Sequence, residues 1–306
     1  MKKISVIIPV KNEGKKIKNC LEAVFSQTYR PYEVIVVDGR STDDTVKNAQ
    51  TFPVKIFYED YHTRAGANQI GINNAIGDYI AFTDADCIPK KDWLENLISE
   101  FNEDVVGVGG GIINLGNNFW EKSINLAVST FLGSANSVQG RLFSDKCYVN
   151  SISGCNSIYR KKDLIDIGGF DVRLGTAEDT ELNRRLLKVG KLLYTPNAII
   201  LHNHNRGIKD FAKRMHQYGY GRAKSRLWDL QIIPPIMLVA ILAVSILSTP
   251  WLFIGLFGLY VIVVGLTGLK YALTERNIKL FISMPVVFVI EHAYYTLGFW
   301  RGILSR

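Results

Sequence analysis

The stretch Asp78-Tyr-Ile-Ala-Phe-Thr-Asp-Ala-Asp86 joins a short apolar run to the single D-x-D motif of the sequence. The apolar residues 79–82 predict a buried strand. Residues i and i+2 of an extended chain point to the same side, so Asp84 and Asp86 are expected to converge at the strand's end. Two close carboxylates repel unless a positive charge lies between them, and hard divalent cations take oxygen ligands. The stretch therefore predicts a cation site at a strand end.

On both sides of this stretch, apolar runs alternate with helical patterns through the first 110 residues. Near-continuous apolar strands that alternate with helices are typical of a mostly parallel sheet covered on both faces. The expected fold class is α/β, a Rossmann-type αβα sandwich. The strands are expected at 4–10, 33–38, 54–58, 79–83 and 105–109, and the helices at 15–26, 42–51, 65–75 and 92–101.

Polar residues follow three of these strands, at 9–13, 38–41 and 83–86. Parallel sheets bind ligands beyond the carboxyl ends of their strands. Independent polar clusters at one sheet edge therefore predict a single site there.

The charge of the chain is unevenly distributed. Residues from Arg206 onward hold 12 of the 36 Lys and Arg residues and 4 of the 28 Asp and Glu residues, so the net charge of +8 lies wholly in this region. Because the same region is strongly apolar, the pattern favours an anionic membrane surface and argues against nucleic acid as a partner.

The 40 residues from Leu230 to Leu269 contain no charged side chain, whereas about 20 apolar residues span a bilayer. The break at Ser248-Thr249-Pro250 predicts a membrane hairpin over 232–269, and basic residues on both flanks predict cytosolic ends. A third apolar segment, 280–300, either spans the membrane or lies in its interface. The alternative is that these segments form a buried soluble core.

Three regions are therefore expected along the chain. They are a catalytic domain over 1–205, a basic amphipathic juxtamembrane helix over 206–229 and a membrane region over 230–306. The N-terminal apolar run is too short for a signal peptide and predicts a first strand, so the catalytic domain is expected in the cytosol. The four cysteines, Cys20, Cys87, Cys147 and Cys155, lack metal-site spacing and are expected to be buried or free thiols in a reducing compartment.

Taken in order, several motifs match a known family. They are Val6-Ile-Ile-Pro-Val-Lys-Asn-Glu13, Val36-Val-Asp-Gly-Arg-Ser-Thr-Asp-Asp-Thr45, Gly71 through Asp86, Gly168-Gly-Phe-Asp171 and Glu178-Asp179. Over about residues 3–225 the chain resembles family 2 glycosyltransferases of the GT-A fold, in their membrane-anchored form. The resemblance implies an inverting, metal-dependent transfer of a sugar from a nucleotide-diphosphate sugar, with UDP or GDP as the nucleotide.

The resemblance also implies donor-binding residues. Pro9, Asn12 and Glu13 would contact the nucleoside, and Asp38 its base; the alternative for Asn12 and Glu13 is a solvated turn. Where relatives often have a second Asp, this chain has Gly39, which leaves the base open. Ser41 is expected to cap the next helix. Arg64 either supplies positive charge near the phosphates or is a surface residue at a helix start.

The metal ligands implied are Asp84 and Asp86, with His202 as a third, in preference to His204. Mn²⁺ and Mg²⁺ both suit such ligands, and a histidine favours Mn²⁺.

The acidic pair Glu178-Asp179 is expected in the first turn of a helix whose apolar face is Leu182, Leu186, Leu187 and Val189. By resemblance Asp179 is the general base that deprotonates the acceptor hydroxyl, and Glu178 lies in the acceptor site. N-terminal capping is the alternative for this pair. Asn156 either contacts a sugar hydroxyl or stabilises a backbone turn.

The expected enzyme acts at the cytosolic face of the cell membrane as a multi-pass protein, with membrane lipids around it and a lipid-linked or glycan acceptor. Two other functions stay open: a membrane-tethered nucleotide-sugar-binding protein without turnover, and a nucleotidyltransferase. The loop after the first strand is poor in glycine, which argues against nucleotidyl transfer.

Overall fold

A computed structural model describes residues 2–116, 118–135, 137–138, 140–203, 207–247 and 250–305, without the side chains of residues 246, 247, 250 and 252. The chain forms two compact units. The first unit comprises Met1–Leu115 and Ser137–His204, and the second comprises Gly116–Asn136 and Asn205–Arg306.

Within the described residues, the first unit holds one sheet of nine strands. These are β1 Ile4–Val10, β2 Glu33–Asp38, β3 Lys55–Tyr58, β4 Tyr79–Phe82, β5 Cys87–Pro89, β6 Val105–Asn114, β7 Cys147–Val149, β8 Ser157–Arg160 and β9 Lys191–His202. They lie in the order β3-β2-β1-β4-β8-β6-β9-β5, with β7 paired to β9.

The strand order places a topological switch point beside β1. The chain builds β2 and β3 on one side of β1 and then crosses to place β4 on the other, all four being parallel. Ligand crevices of open α/β sheets lie at such switch points, beyond the carboxyl ends of the strands. The second half of the sheet is mixed, because β8 runs antiparallel to both β4 and β6.

Helices cover both faces of the sheet. Successive side chains of β1 point to opposite faces, and they are buried on both. Val6 and Ile8 pack on one face, and Ile7 packs on the other. The first face is covered by α1 Ile17–Phe25 and α4 Trp93–Ile98, and the second by α3 Arg64–Asn74, α7 Lys161–Asp166 and α8 Glu178–Leu186. The expected αβα fold class is confirmed.

Two local expectations are wrong. The predicted helix 42–51 is only α2 Thr45–Ala49, so Ser41 does not cap it; Ser41 Oγ instead accepts a hydrogen bond from the Asn12 backbone N–H. In α8, Leu182 and Leu186 are buried, but Leu187 and Val189 follow the helix end and are exposed.

An irregularity in β6 and β9 explains the buried position of Asn156. The register advances by four residues on β9, from Thr195 to Ile199, while β6 advances by one from Gly110 to Gly111. The skipped residues leave carbonyl groups without ladder partners, and a buried carbonyl needs a donor. Asn156 Nδ2 donates to the carbonyl groups of Gly111 and Ala198, at 2.9 and 3.0 Å.

The second unit is helical in its described residues. It contains α5 Phe119–Ser129, α6 Phe131–Ser134, α9 Ile208–Lys224, a 3-10 turn Leu230–Ile232, α10 Ile233–Leu247, α11 Pro250–Thr274 and α12 Leu280–Leu304. The sequence pattern predicts no helix or strand for residues 116–136, where the structure has α5 and α6. Of the proposed hairpin break, Ser248 and Thr249 lie outside the described residues.

Two segments of the described chain, Phe253–Thr274 and Leu280–Leu304, are long and apolar enough to cross a membrane, and Leu230–Ser245 is a shorter apolar helix. Most of the large side chains on α10 and α11 are exposed. A soluble core would bury such faces, so the exposed apolar surface favours lipid as their surroundings.

Glycines let α9 and α12 approach closely within this unit. A Cβ added to Gly298 would lie 2.0 Å from the His216 carbonyl oxygen, and one added to Gly219 would lie 2.0 Å from the Tyr295 carbonyl oxygen. Small residues at helix contacts allow backbones to meet in this way. The basic helix α9 is therefore held against α12.

Candidate functional site

The D-x-D motif lies on a turn between β4 and β5. The Cys87 backbone N–H donates to the Asp84 carbonyl at 3.0 Å, which closes the turn. Ligand atoms of Asp84, Asp86, Cys87 and His202 lie within 4.8 Å of one another. The expected convergence of the two carboxylates is therefore present, but the turn produces it and not the extended alternation that the sequence suggested.

His202 joins the motif because β5 and β9 pair antiparallel with Cys87 opposite His202. Its Nε2 lies 3.2 Å from Asp86 Oδ1, and the residue is 7% exposed. Burial alone would raise the pKa of Asp86, but the hydrogen bond from His202 holds that pKa below its usual value. The alternative ligand His204 lies outside the described residues.

Arg64 is the first residue of α3, which Thr63 caps by accepting the Gly66 N–H. Its Nη2 lies 2.6 Å from Asp84 Oδ1, and its Nη1 lies 3.6 Å from Glu178 Oε1. Arg64 therefore starts a helix, as one alternative expected, and its guanidinium faces acidic groups of the first unit. The guanidinium joins the D-x-D turn to the acidic start of α8.

Glu178 and Asp179 open α8, as expected from the sequence. Glu178 is 5% exposed; burial raises the pKa of its carboxyl to about 7, against the opposing effect of Arg64. Asp179 Oδ2 accepts the Gly154 N–H at 3.0 Å, and Oδ1 accepts the Thr180 N–H at 2.7 Å. These two contacts fix the orientation of the Asp179 carboxylate at the helix N-terminus.

The predicted nucleoside residues lie at the carboxyl ends of β1 and β2. Asp38 is 1% exposed; its Oδ2 accepts the Ser41 N–H, and its Oδ1 has no hydrogen-bond partner among the residues that the structure describes. Asn12, at φ +56°, accepts the Thr42 N–H through Oδ1 at 2.8 Å. Glu13 pairs with Lys16 at 3.2 Å. Pro9 lies within β1 and pairs with Val37. It therefore precedes the turn that holds Asn12 and Glu13, whereas the sequence analysis expects all three residues at one contact.

Asn156 does not take part in this site. Its side chain is fully buried, with both amide hydrogens used across the β6–β9 irregularity and its Oδ1 accepting from Trp93 Nε1 at 2.7 Å. No donor is left for a sugar hydroxyl, so the expected acceptor contact is replaced by a structural role.

Three cysteines, Cys20, Cys87 and Cys155, lie around the D-x-D turn. The sequence did not predict this position for them. Cys20 Sγ donates to the Asp84 carbonyl at 3.3 Å. Ligand atoms of Cys87, Cys155 and His202 lie within 4.8 Å of one another. All four cysteines are free, as expected. Cys87 could have been noticed because it directly follows Asp86, but Cys155 is too distant in sequence for spacing to reveal it.

The donor set suits a divalent cation. Two carboxylates and an imidazole converge at a partly exposed turn, and such ligands fit Mn²⁺ or Mg²⁺. Asp84, Asp86 and His202 are the residues that could hold it.

Solved structures of other proteins share the fold of this chain. The mannosyltransferase PcManGT from Pyrobaculum calidifontis, solved in complex with GDP-Man and Mn²⁺, matches the fold with a TM-score of 0.64 at 19% identity, over 100% of this chain and 88% of that one. The S. aureus TarS 1–349 structure matches with a TM-score of 0.52 at 16% identity, over 99% and 92%.

Relatives also match in sequence, and two of them cover most of the chain. One, from Methanococcus voltae, is the dolichyl N-acetyl-alpha-D-glucosaminyl phosphate 3-beta-D-2,3-diacetamido-2,3-dideoxy-beta-D-glucuronosyltransferase. It is 27% identical over 99% of this chain and 97% of its own length. Glycosyltransferase AglE from Haloferax volcanii is 29% identical over 75% of each chain. The model of the family described as glycosyl transferase family 2 matches residues 5–168, more than half of the sequence. The chain therefore belongs to glycosyl transferase family 2 and is a glycosyltransferase.

Proposed function

We propose that this enzyme transfers a sugar, with inversion, from a nucleotide-diphosphate sugar to a lipid-linked acceptor at the membrane, and that the reaction requires a divalent cation. The observation that carries the proposal is the arrangement around Arg64. This one side chain joins Asp84 of the D-x-D turn to Glu178, next to Asp179. The groups that we propose to bind the donor and to activate the acceptor thus lie close to one another.

Asp38 is proposed to read the nucleoside base. Its Oδ1 is a buried carboxylate oxygen that lacks a hydrogen-bond partner within the described part of the chain, and an unsatisfied buried acceptor is costly unless a ligand supplies a donor. A base N–H supplies such a donor. Asn12 and Glu13, in the neighbouring loop, are proposed to border the ribose, with Asn12 holding the loop after β2 in place.

Asp84, Asp86 and His202 are proposed to hold the cation, and Mn²⁺ is favoured because an imidazole belongs to the set. When bound, a divalent cation supplies positive charge that stabilises the departing diphosphate. Arg64 adds a fixed positive charge on the same side, and its contact with Asp84 orients that carboxylate.

Asp179 is proposed to be the general base. The acceptor hydroxyl gives its proton to the Asp179 carboxylate while its oxygen attacks the anomeric carbon and the nucleoside diphosphate leaves. A single displacement of this kind inverts the anomeric configuration and needs no second carboxylate nucleophile. The backbone N–H groups of Gly154 and Thr180 hold Asp179 in one orientation for this transfer.

The acceptor is proposed to be lipid-linked. The name of the Methanococcus voltae relative, which matches almost the whole chain, describes an acceptor on dolichyl phosphate. The two long apolar helices of this chain would keep the enzyme beside such a substrate. We further propose a multi-pass arrangement with the first unit in the cytosol, since basic residues flank the apolar run.

Release of nucleoside diphosphate from a panel of UDP- and GDP-sugars tests this function, with detergent-purified protein, Mn²⁺ or Mg²⁺, and polyprenyl-phosphate-linked sugar as acceptor. We expect one donor to be consumed, and the activity to be lost on chelation and in Asp86→Ala. Release that persists fully in Asp86→Ala would contradict the proposed metal site. Donor binding without release of nucleoside diphosphate, for every donor of the panel, would favour a binding protein.

A further inference from the structure

Two buried thiols, those of Cys87 and Cys155, lie beside the D-x-D turn and have no role in the proposed sugar transfer. Cys87 begins β5 directly after Asp86, and Cys155 lies in the segment before β8. Strand pairing sets His202 opposite Cys87. The exposed fractions of Cys87, Cys155 and His202 are 0, 5 and 7%, and their ligand atoms lie within 4.8 Å of one another.

We propose that Cys87, Cys155 and His202 form a second metal site, one for a thiophilic divalent cation such as Zn²⁺, which overlaps the D-x-D site and shares His202 with it. Two thiolates and an imidazole are the soft ligand set that Zn²⁺ prefers, whereas oxygen ligands suit Mg²⁺ and Mn²⁺. The same turn therefore presents hard ligands on one side and soft ligands on the other.

The spacing fits tetrahedral coordination. With Zn–S of about 2.3 Å and Zn–N of about 2.0 Å, neighbouring ligand atoms lie about 3.3–3.8 Å apart. Ligand atoms within 4.8 Å reach that spacing by small side-chain movements. Asp86 Oδ1, at 3.2 Å from His202 Nε2, is placed to be the fourth ligand. Each thiol releases its proton to solvent as its sulfur binds the metal.

Sharing His202 makes the two sites exclusive. A cation on the two thiolates withdraws His202, and with it Asp86, from the hard-metal site. Zn²⁺ is therefore a competitive inhibitor with respect to Mn²⁺ or Mg²⁺. Only this inhibitory consequence rests on the proposed function; formation of the site itself does not.

Co²⁺ is the probe for the site, because thiolate ligands give it a charge-transfer absorption band that oxygen ligands do not. The full chain is titrated in detergent with a phosphine reductant present. We expect a thiolate–cobalt band that saturates at one equivalent and disappears when Zn²⁺ is added. Absence of this band in the wild-type protein would overturn the proposal without reference to any variant.

Substitutions assign the ligands. Cys87→Ser and Cys155→Ser are expected to reduce Zn²⁺ affinity at least about 100-fold, since even loss of a supporting partner costs 10–100-fold. Cys147→Ser, which removes a thiol from β7, is the matched control and should bind as the wild type does. An unchanged band in both cluster variants would refute the site. If Cys155→Ser does not fold, as judged by thermal unfolding, Cys155→Ala replaces it.

A sugar-transfer assay completes the test. Zn²⁺ should inhibit the wild type and Cys147→Ser at concentrations that leave Cys155→Ser active. Equal inhibition of all three proteins would exclude the overlap between the sites. A chain that shows the cobalt band but no transfer with any donor would contradict the proposed function and leave the metal site established.

Discussion

Asp38 illustrates, at the scale of the single residue, how an unsatisfied buried atom points to a ligand. Its Oδ1 is buried, and no described residue donates a hydrogen bond to it; hydrogen bonds to charged groups contribute about 1.5–3 kcal/mol. Asp38→Ala is therefore expected to weaken nucleotide-sugar binding roughly 10- to 100-fold. Calorimetry with the donor, or with its nucleoside diphosphate, measures the effect.

The matched control is Asp44→Ala, since Asp44 lies in the same loop region with its side chain 74% exposed. Its donor affinity should stay within about twofold of the wild type. Equal affinities for the Asp38 and Asp44 variants would show that Asp38 does not contact the donor.

Glu178 predicts a pH-dependent stability. Burial raises its pKa to about 7 from an ordinary 4.5, with Asp179 and Asp84 acting in the same direction and Arg64 opposing. Between pH 4.5 and 7 the folded protein holds a proton that the unfolded chain has lost, so this group makes stability fall as pH rises. The contribution lost by pH 8 is on the order of 3 kcal/mol.

Glu178→Gln should remove this dependence, so its thermal midpoint relative to wild type should be higher at pH 8 than at pH 5. Glu181→Gln, on the same helix and paired with Arg185, controls for loss of a glutamate. Parallel pH profiles for wild type and Glu178→Gln would mean that Glu178 ionises normally in the folded protein.

The sequence predicted the positions of individual side chains correctly where several polar residues lie together in a short motif. Asp84 and Asp86 converge, and Glu178 and Asp179 open a helix. The prediction failed for Asn156 because the register irregularity of β6 and β9, which uses its carboxamide, is a property of the assembled sheet. Cys155 was missed for a related reason, since only the fold brings it to Cys87.

At the scale of the element, Asn156 bridges the gap in the β6–β9 ladder. Asn156→Ala would leave the Gly111 and Ala198 carbonyl groups and the Trp93 indole N–H unpaired. Unsatisfied buried groups cost about 1–3 kcal/mol each, so a loss of about 3 kcal/mol or more in the free energy of unfolding is expected. Chemical denaturation measures it. Full stability with weakened acceptor binding would instead restore Asn156 to the acceptor site.

The contact between α9 and α12 gives a second test at this scale. Gly298→Ala would place a Cβ 2.0 Å from the His216 carbonyl oxygen, and such overpacking costs about 1–3 kcal/mol. Gly258→Ala on α11 is the control, because nothing lies within 4 Å of its added Cβ. The thermal midpoint in detergent should fall for Gly298→Ala and not for Gly258→Ala. Equal midpoints would contradict the close helix contact.

The early elements were predictable because each carries its own pattern. β1 and β2 have the predicted bounds, and α1, α3 and α4 lie within one to three residues of the expected ends. Residues 116–136 carried no comparable signal, and the structure groups them with the C-terminal helices. Their apolar side chains, among them Ile124 and Ala127, pack with α9, α11 and α12, so their helical state depends on long-range partners.

At the scale of the whole molecule, the exposed apolar surface predicts integral membrane association. Phe253–Thr274 and Leu280–Leu304 each reach the roughly 20 residues needed to cross a bilayer. The protein should therefore stay in the membrane pellet after washes with high salt and with alkaline carbonate, and detergent should release it. Release by salt alone would indicate a peripheral protein held by its basic residues.

We propose that Asp179 activates the acceptor at a site where the donor binds independently of it. Sugar transfer and donor binding, both measured in wild type and Asp179→Asn, test this role most directly. General base catalysis contributes about 10²–10⁴-fold, so we expect transfer to fall by at least about 100-fold while donor affinity stays within about twofold. Transfer at the wild-type rate in Asp179→Asn would contradict this role.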